Sequence, residues 1–155
     1  MSNTVRSTGF IVMFFLCFGV AAYAVGMYGV GPGEERLHPE LAAWWGPDGF
    51  SNTFEMFEFK PQGRWKFVMH GPDGKNYPND NVFLETSPQK VCIRHVSLPH
   101  FMPTVTWSEK NGHTHLEWQQ AFDDPGVAAS LAHIIVPANE QNLNRLHAVL
   151  LAATA

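Results

Sequence analysis

The side chains that could perform chemistry in this chain are its eight histidines, its two cysteines and scattered carboxylates. His113 and His115 fall on one face of a strand pattern, but a zinc site needs three or four converging ligands. The sequence contains no HExxH, CxxC or GxSxG motif. We therefore expect no metal site and no cofactor, and we expect Cys17 and Cys92 to be buried thiols rather than a redox pair.

Acid–base catalysis would need carboxylates or histidines that face inward and have shifted pKa values. Glu55, Glu58, Glu85 and Glu117 alternate with apolar residues in strand patterns, which favours a solvated outer face for all four. If the protein is an enzyme, His95 and Glu117 are the residues whose substitution we would expect to affect it.

Composition sets the class of protein. A chain of 155 residues with 45% apolar and 15% charged residues fits a single globular domain with an apolar addition. The formal charge of −4 and the lack of a basic stripe give no support for nucleic-acid binding.

The elements that must position these side chains are mostly strands. Alternating apolar and polar residues recur in short runs separated by turn-forming Pro, Gly, Asn and Asp. Connections this short join antiparallel strands, because a parallel crossover needs a dozen or more residues. The sequence predicts one curved antiparallel sheet of about six strands, over Phe54–Phe59, Arg64–Met69, Asn81–Thr86, Lys90–Ser97, Thr104–Glu109 and Thr114–Phe122.

A long helical pattern follows the strands. Asp124 has the position of an N-cap and Pro125 that of the first helical residue. Pro137 predicts a break or kink, after which Asn139 can cap a second helical stretch. Apolar residues then recur at helical spacing along a stripe that should cover the concave face of the sheet: Leu143, Leu146, His147, Leu150 and Leu151.

The N-terminal segment carries no charge from Gly9 to Val30. As a helix it would be ~33 Å long, which matches a hydrocarbon core of ~30 Å and predicts a single-pass membrane anchor. Arg6 on its amino side favours a cytoplasmic N-terminus. Two alternatives remain, which are a secreted protein with a signal peptide cleaved near Ala22-Tyr23-Ala24 and a cytoplasmic protein in which the segment packs on the domain.

The motifs resemble a known family. Trp44-Trp45-Gly46-Pro47, Gly63-Arg64-Trp65, His70-Gly71-Pro72-Asp73-Gly74 and Val136-Pro137-Ala138-Asn139-Glu140 follow one another as in the AHSA1-like branch (activator of Hsp90 ATPase homologue) of the START/Bet v 1 superfamily, also called SRPBCC and polyketide-cyclase-like. This resemblance implies an α+β helix-grip fold over residues 34–155, with residues 1–33 as a separate N-terminal segment. The family's first strand and helix would be missing here, replaced by the apolar segment, and this would leave one sheet edge unpaired.

The resemblance also implies a hollow between sheet and helix, and therefore a small hydrophobic molecule as ligand. Alternatives are a chaperone partner, by analogy with the Hsp90 activators, and an enzyme of the cyclase or hydrolase type. The same side chains would instead form a filled core if no hollow exists. The residues expected to line it are Trp65, Phe67, Met69, Leu84, Ile93, His95, Trp107, Leu116, Trp118 and Leu146.

Overall fold

The protein folds around one antiparallel sheet that is gripped by one long helix. The computed structural model describes residues 4–11, 41–111 and 113–153. Seven strands form the sheet in the order β1-β7-β6-β5-β4-β3-β2, and every neighbouring pair is antiparallel. The strands are β1 Thr4–Ile11, β2 Ser51–Phe57, β3 Arg64–His70, β4 Asn76–Ser87, β5 Lys90–His95, β6 Phe101–Lys110 and β7 His113–Phe122.

Local chemistry explains why β2 to β7 follow one another as a meander. Alternate residues on each strand are apolar, and the connections contain residues that tolerate tight turns. Gln62 and Asn111 adopt φ values of 65° and 55° in the connections after β2 and β6. Gly63 has a different role, because a Cβ there would collide with the backbone carbonyl of Glu58. The six predicted strands are confirmed, with their ends shifted by a few residues.

The prediction that the first strand is missing is wrong. Strand β1 lies at the sheet edge and pairs with β7 from Thr4↔Ala121 to Ile11↔Thr114. This pairing covers the backbone donors and acceptors that β7 would otherwise leave open. Gly9 to Ile11, which begin the predicted apolar helix, are therefore extended and paired.

The rest of the predicted membrane segment, residues 12–30, lies outside the described residues. Within the part of the chain that the structure describes, no helix is both long and apolar enough to cross a bilayer. Described residues resume with a helical turn over 41–44, which leads into the Trp44–Phe50 turn.

The long helix runs without interruption from Pro125 to Ala153. Asp124 caps it as predicted, since its Oδ1 accepts a hydrogen bond from the Gly126 backbone N–H at 2.7 Å. The predicted break at Pro137 does not occur, because Pro137 lies inside the continuous helix. Asn139 consequently has no end to cap, and its side chain is buried instead.

Two apolar clusters join the helix to the concave face of the sheet. The larger cluster packs Leu143, Leu146 and Leu150 of the helix against the tryptophans and aliphatic residues of the sheet. The smaller one packs Ala128 against Phe122, with Leu131 and Ile135 beside them. These contacts hold the helix to the sheet at two separate places along its length.

Candidate functional site: a cavity beneath the middle of the helix

A cavity of about 160 Å³ lies under the central turns of the long helix, between the two apolar clusters. The helix contributes Ile135, Ala138, Asn139 and Asn142, which share one face because they are spaced three and four residues apart. An apolar cavity of about 150 Å³ is large enough to bind benzene. The cavity therefore has room for roughly one ring with small substituents.

A second void, of about 20 Å³, lies within the larger cluster. It is bordered by Trp44, Trp65, Phe83 and neighbouring apolar residues. That volume is close to the minimum for a single water molecule. This half of the interior is filled core, so the larger cavity is the candidate site.

The sheet supplies the floor of the cavity through strand alternation. Residues two apart on a strand point to the same face, and each strand from β3 to β7 contributes two such residues. The paired positions Asn81↔His95 bring two polar residues of adjacent strands together, and Gln120 lies opposite Pro103 on the neighbouring strand. The sheet residues that line the cavity are Phe67, Met69, Asn79, Asn81, Ile93, His95, Phe101, Pro103, Trp118 and Gln120.

One wall is the turn at Trp45, Gly46 and Pro47, and the helix holds it in place. Asn142 Oδ1 accepts a hydrogen bond from the Gly46 backbone N–H at 2.5 Å. Arg145 Nη1 donates to the carbonyls of Gly46 and Pro47 at 2.7 and 2.8 Å. Gly46 has a φ of 103°, which favours glycine. The tight turn therefore depends on this residue as well as on the hydrogen bonds with Asn142 and Arg145.

His95 is the titratable group on the floor. Its Nδ1 lies 3.0 Å from the Pro99 carbonyl, which can only accept, so Nδ1 carries the proton. Its Nε2 lies 3.1 Å from both Ser97 Oγ and Asn79 Oδ1, and the ring stacks on Phe101 with centroids 4.3 Å apart. Burial lowers the pKa of His95, although the hydrogen bonds to the Pro99 and Ser97 backbone oppose this shift.

Half of the residues expected to line a hollow do so. Phe67, Met69, Ile93, His95 and Trp118 border the cavity. Each lies on an inward position of its strand, as the two-residue period predicted. Their role in binding remains a prediction.

Four other expected residues lie in the filled part of the interior. Trp107, Leu116 and Leu146 belong to the larger apolar cluster and border neither void, whereas Trp65 borders only the small one. They are at most 7% exposed, so they stabilise the domain by burial. The hollow therefore occupies one end of the concave face and the filled core the other.

Leu84 does not face inward, and its assignment to the lining is wrong. The register of β4 against β5 passes from Phe83↔Ile93 to Glu85↔Cys92, so Leu84 is the extra residue of a β-bulge. Leu84 is 40% exposed, whereas Phe83 is 2% exposed and takes the core position.

Glu117 also lies away from the cavity. It alternates on β7 with Trp118, which lines the cavity, and its Oε1 accepts a hydrogen bond from Gln119 Nε2 at 2.8 Å. Of the two candidate acid–base residues, only His95 reaches the site.

The amide side chains of the site were not among the residues predicted from the sequence. Five uncharged amides border the cavity, and four of them are at most 7% exposed. Strand parity could have placed those on β4 and β7, because they share a face with predicted core residues. The five are Asn79, Asn81, Gln120, Asn139 and Asn142.

None of the described residues that line the cavity is Asp, Glu, Lys or Arg. Among the described residues, no three His, Cys, Asp or Glu side chains come together as a metal site would require. The arrangement can surround a ring with aromatic side chains and offer hydrogen bonds from neutral amides.

Solved structures share this fold along nearly the whole chain. A protein from Nitrosomonas europaea superposes with a TM-score of 0.78 at 15% identity, covering 98% of this chain and 96% of its own. An AHSA1-like protein from Aeromonas hydrophila gives 0.68 at 14% identity, covering 97% and 94%. The di-domain ARO/CYC StfQ from the steffimycin biosynthetic pathway gives 0.66 at 13% identity, covering 98% of this chain and 51% of its own.

These likenesses are below 25% identity and show the fold alone. No curated protein matches the sequence. The family model described as Activator of Hsp90 ATPase homolog 1-like protein (AHSA1) matches residues 37–150, which include β2 to β7 and most of the long helix. The chain therefore belongs to the AHSA1-like family, in the START/Bet v 1 (SRPBCC) group of helix-grip proteins.

Proposed function

We propose that the protein binds a small, uncharged and largely apolar molecule in the cavity beneath the long helix. The observation that carries this proposal is a volume of about 160 Å³ left open between two packed apolar clusters. The cavity is partly open to solvent, so a small molecule can enter it from the surface. Aromatic walls with a few polar groups are the usual composition of a small-molecule site.

A blocking variant tests the proposal. Ala138 lines the cavity, so Ala138→Phe should fill it, whereas Ala129→Phe makes the same change on an exposed part of the helix. A ligand present at 100 times its Kd adds about 2.7 kcal/mol to the free energy of unfolding. For a chain of this size that corresponds to a rise in Tm of roughly 5–11 °C.

The screen uses single-ring compounds and reads both Tm and tryptophan fluorescence, because Trp45 and Trp118 border the cavity. We expect compounds that stabilise the wild type and Ala129→Phe but not Ala138→Phe. Stabilisation that survives Ala138→Phe, or a panel in which no ring compound shifts Tm, would overturn the proposal.

Membership of the family favours a second candidate, a co-chaperone that acts on an Hsp90-type ATPase. Stimulation of such an ATPase by the purified protein is the direct measurement. If Ala138→Phe stimulates as well as the wild type, that activity does not use the cavity. An enzyme of the cyclase type is supported only by the fold shared with StfQ and by His95 in the cavity.

Membrane anchoring through residues 9–30 is the third proposal, and it competes with the pairing of β1. Strands β1 and β2 belong to the same sheet, so a single crossing between them would place them on opposite sides of the bilayer. Arg6 and Gln119 are register partners, at a spacing compatible with a disulfide. Carbonate extraction combined with cross-linking of an Arg6→Cys, Gln119→Cys double variant distinguishes an anchored chain from one with β1 in the sheet.

A further inference from the structure

The orientation of Asn142 leaves a hydrogen-bond donor unused in the cavity. Its Oδ1 accepts from the Gly46 backbone N–H, which fixes the amide because a donor cannot face Nδ2. Its Nδ2 then makes no hydrogen bond with any described residue, although Asn142 is only 6% exposed. Asn142 lines the cavity, so a ligand or water there can accept a hydrogen bond from this donor.

Asn81 provides the opposite group. Its Nδ2 donates to the Trp65 carbonyl at 3.2 Å, which fixes this amide as well. Its Oδ1 has no donor among the described residues, and the residue is 4% exposed. The cavity therefore has one donor and one acceptor whose identities are set by backbone partners.

Gln120 and Asn139 add a second pair. Asn139 Nδ2 lies 3.4 Å from Gln120 Oε1, and both residues are at most 7% exposed. Whichever way the two amides are turned, one NH₂ and one carbonyl oxygen remain without a partner among the described residues. The lining thus offers donors and acceptors together.

The cavity is not suited to a charged ligand. No ionised side chain in the part of the chain that the structure describes borders it, and both nitrogens of His95 face groups of its own strand, loop or neighbouring strand. A carboxylate or ammonium brought into this space would lose its hydration without gaining a counter-ion. A purely apolar ring would leave the amides of Asn142 and Asn81 unsatisfied.

We propose that the ligand is an uncharged single-ring compound that carries an amide-like edge, with a hydrogen-bond acceptor and donor side by side, as in carboxamides and lactams. This inference rests on the proposed binding function. The acceptor of the ligand meets the free amide NH₂ groups, and its donor meets the free amide oxygens. The aromatic walls contact the ring.

Three probes of nearly equal shape test the ligand class. Cumene offers no hydrogen bond, benzamide offers an acceptor and a donor, and benzoate carries a charge. Affinities are measured by tryptophan fluorescence and by NMR shifts of the side-chain amides of the full chain. We expect benzamide to bind at least tenfold more tightly than either of the others, because each additional hydrogen bond contributes up to about tenfold.

A matched pair of variants locates the contact. Gln120→Met removes the amide with little change of volume, and Gln119→Met makes the same change on the opposite face of β7. Benzamide affinity is expected to fall about tenfold in Gln120→Met only, while cumene affinity is unchanged or increases. If Gln120→Met fails to fold, Asn142→Asp replaces it, with the exposed Asn144→Asp as its control.

The outcomes separate the two proposals. If none of the three probes binds the wild type, the cavity is not a ring-binding site and both proposals fall. If cumene or benzoate binds as tightly as benzamide, binding in the cavity stands and the amide-edged class is wrong. Equal losses in Gln120→Met and Gln119→Met would also overturn the ligand class.

Discussion

Replacing Arg145 should release the wall of the cavity. Its Nη1 donates to the carbonyls of Gly46 and Pro47 at 2.7 and 2.8 Å, with a longer contact of 3.3 Å to Phe50. Its Nη2 donates to the Ala43 carbonyl at 2.8 Å. Nη1 has two hydrogens, which serve the two short bonds, and the contact to Phe50 shares one of them. With the bond from Nη2, Arg145 therefore makes three good hydrogen bonds.

A hydrogen bond to a charged group contributes about 1.5–3 kcal/mol. The three are not additive, because the carbonyls partly regain water when the guanidinium is removed. We therefore expect Arg145→Met to lower the free energy of unfolding by roughly 2–4 kcal/mol, or Tm by about 5–15 °C. Urea titration with m-values measures the change, and benzamide or another bound ring compound should lose affinity as the wall loosens.

Arg94→Met is the matched control. Arg94 makes a two-point ion pair with Asp123 at 2.7 and 2.5 Å, but the Asp123 side chain is 52% exposed. An exposed pair of this kind contributes about 0–1 kcal/mol. If Arg145→Met and Arg94→Met destabilise the protein equally, the hydrogen bonds of Arg145 do not hold the cavity wall in place.

Three further predictions follow from burial and backbone geometry. Phe83→Ala should cost roughly 3–5 kcal/mol and Leu84→Ala less than about 0.5 kcal/mol in chemical denaturation, and similar losses would refute the bulge. Burial lowers the pKa of His95 in the folded state, so His95 is protonated at a higher pH in the unfolded chain than in the folded protein. The free energy of unfolding should then decrease from about pH 7 towards pH 5, and His95→Gln should flatten that dependence in urea titrations; an unchanged pH profile would contradict it. Gly63→Ala should severely destabilise the fold through a backbone collision, whereas Gly74→Ala, with open space but a φ of 78°, should cost about 1 kcal/mol in thermal melts.

The strand positions were predictable because each strand has one buried face. Trp65, Phe67 and Met69 fall two apart, and all three face inward, Trp65 in the filled core and the other two at the cavity. The N-cap at Asp124 was equally clear, since its chemistry is local. Sequence patterns of this kind depend only on residues within a single strand or helix.

The remaining features depend on partners distant in the chain. A continuous apolar run does not distinguish a helix from a buried strand, and pairing with β7 makes Gly9 to Ile11 extended. Pro137 stays within a continuous helix, whose neighbouring turns are held to the sheet by Ile135 and Leu143. The amides of the cavity looked like ordinary polar positions until their backbone partners were known, because nothing in Asn142 itself indicates Gly46.

The edge position of β1 has a consequence for biosynthesis. Ala121, the register partner of Thr4, is translated more than a hundred residues after it. At about 5–20 residues per second, β7 is synthesised on the order of ten seconds after β1, and until then β1 cannot pair with it. During that interval the nascent chain presents an extended, unpaired strand, so this segment is where a holdase would be expected to bind.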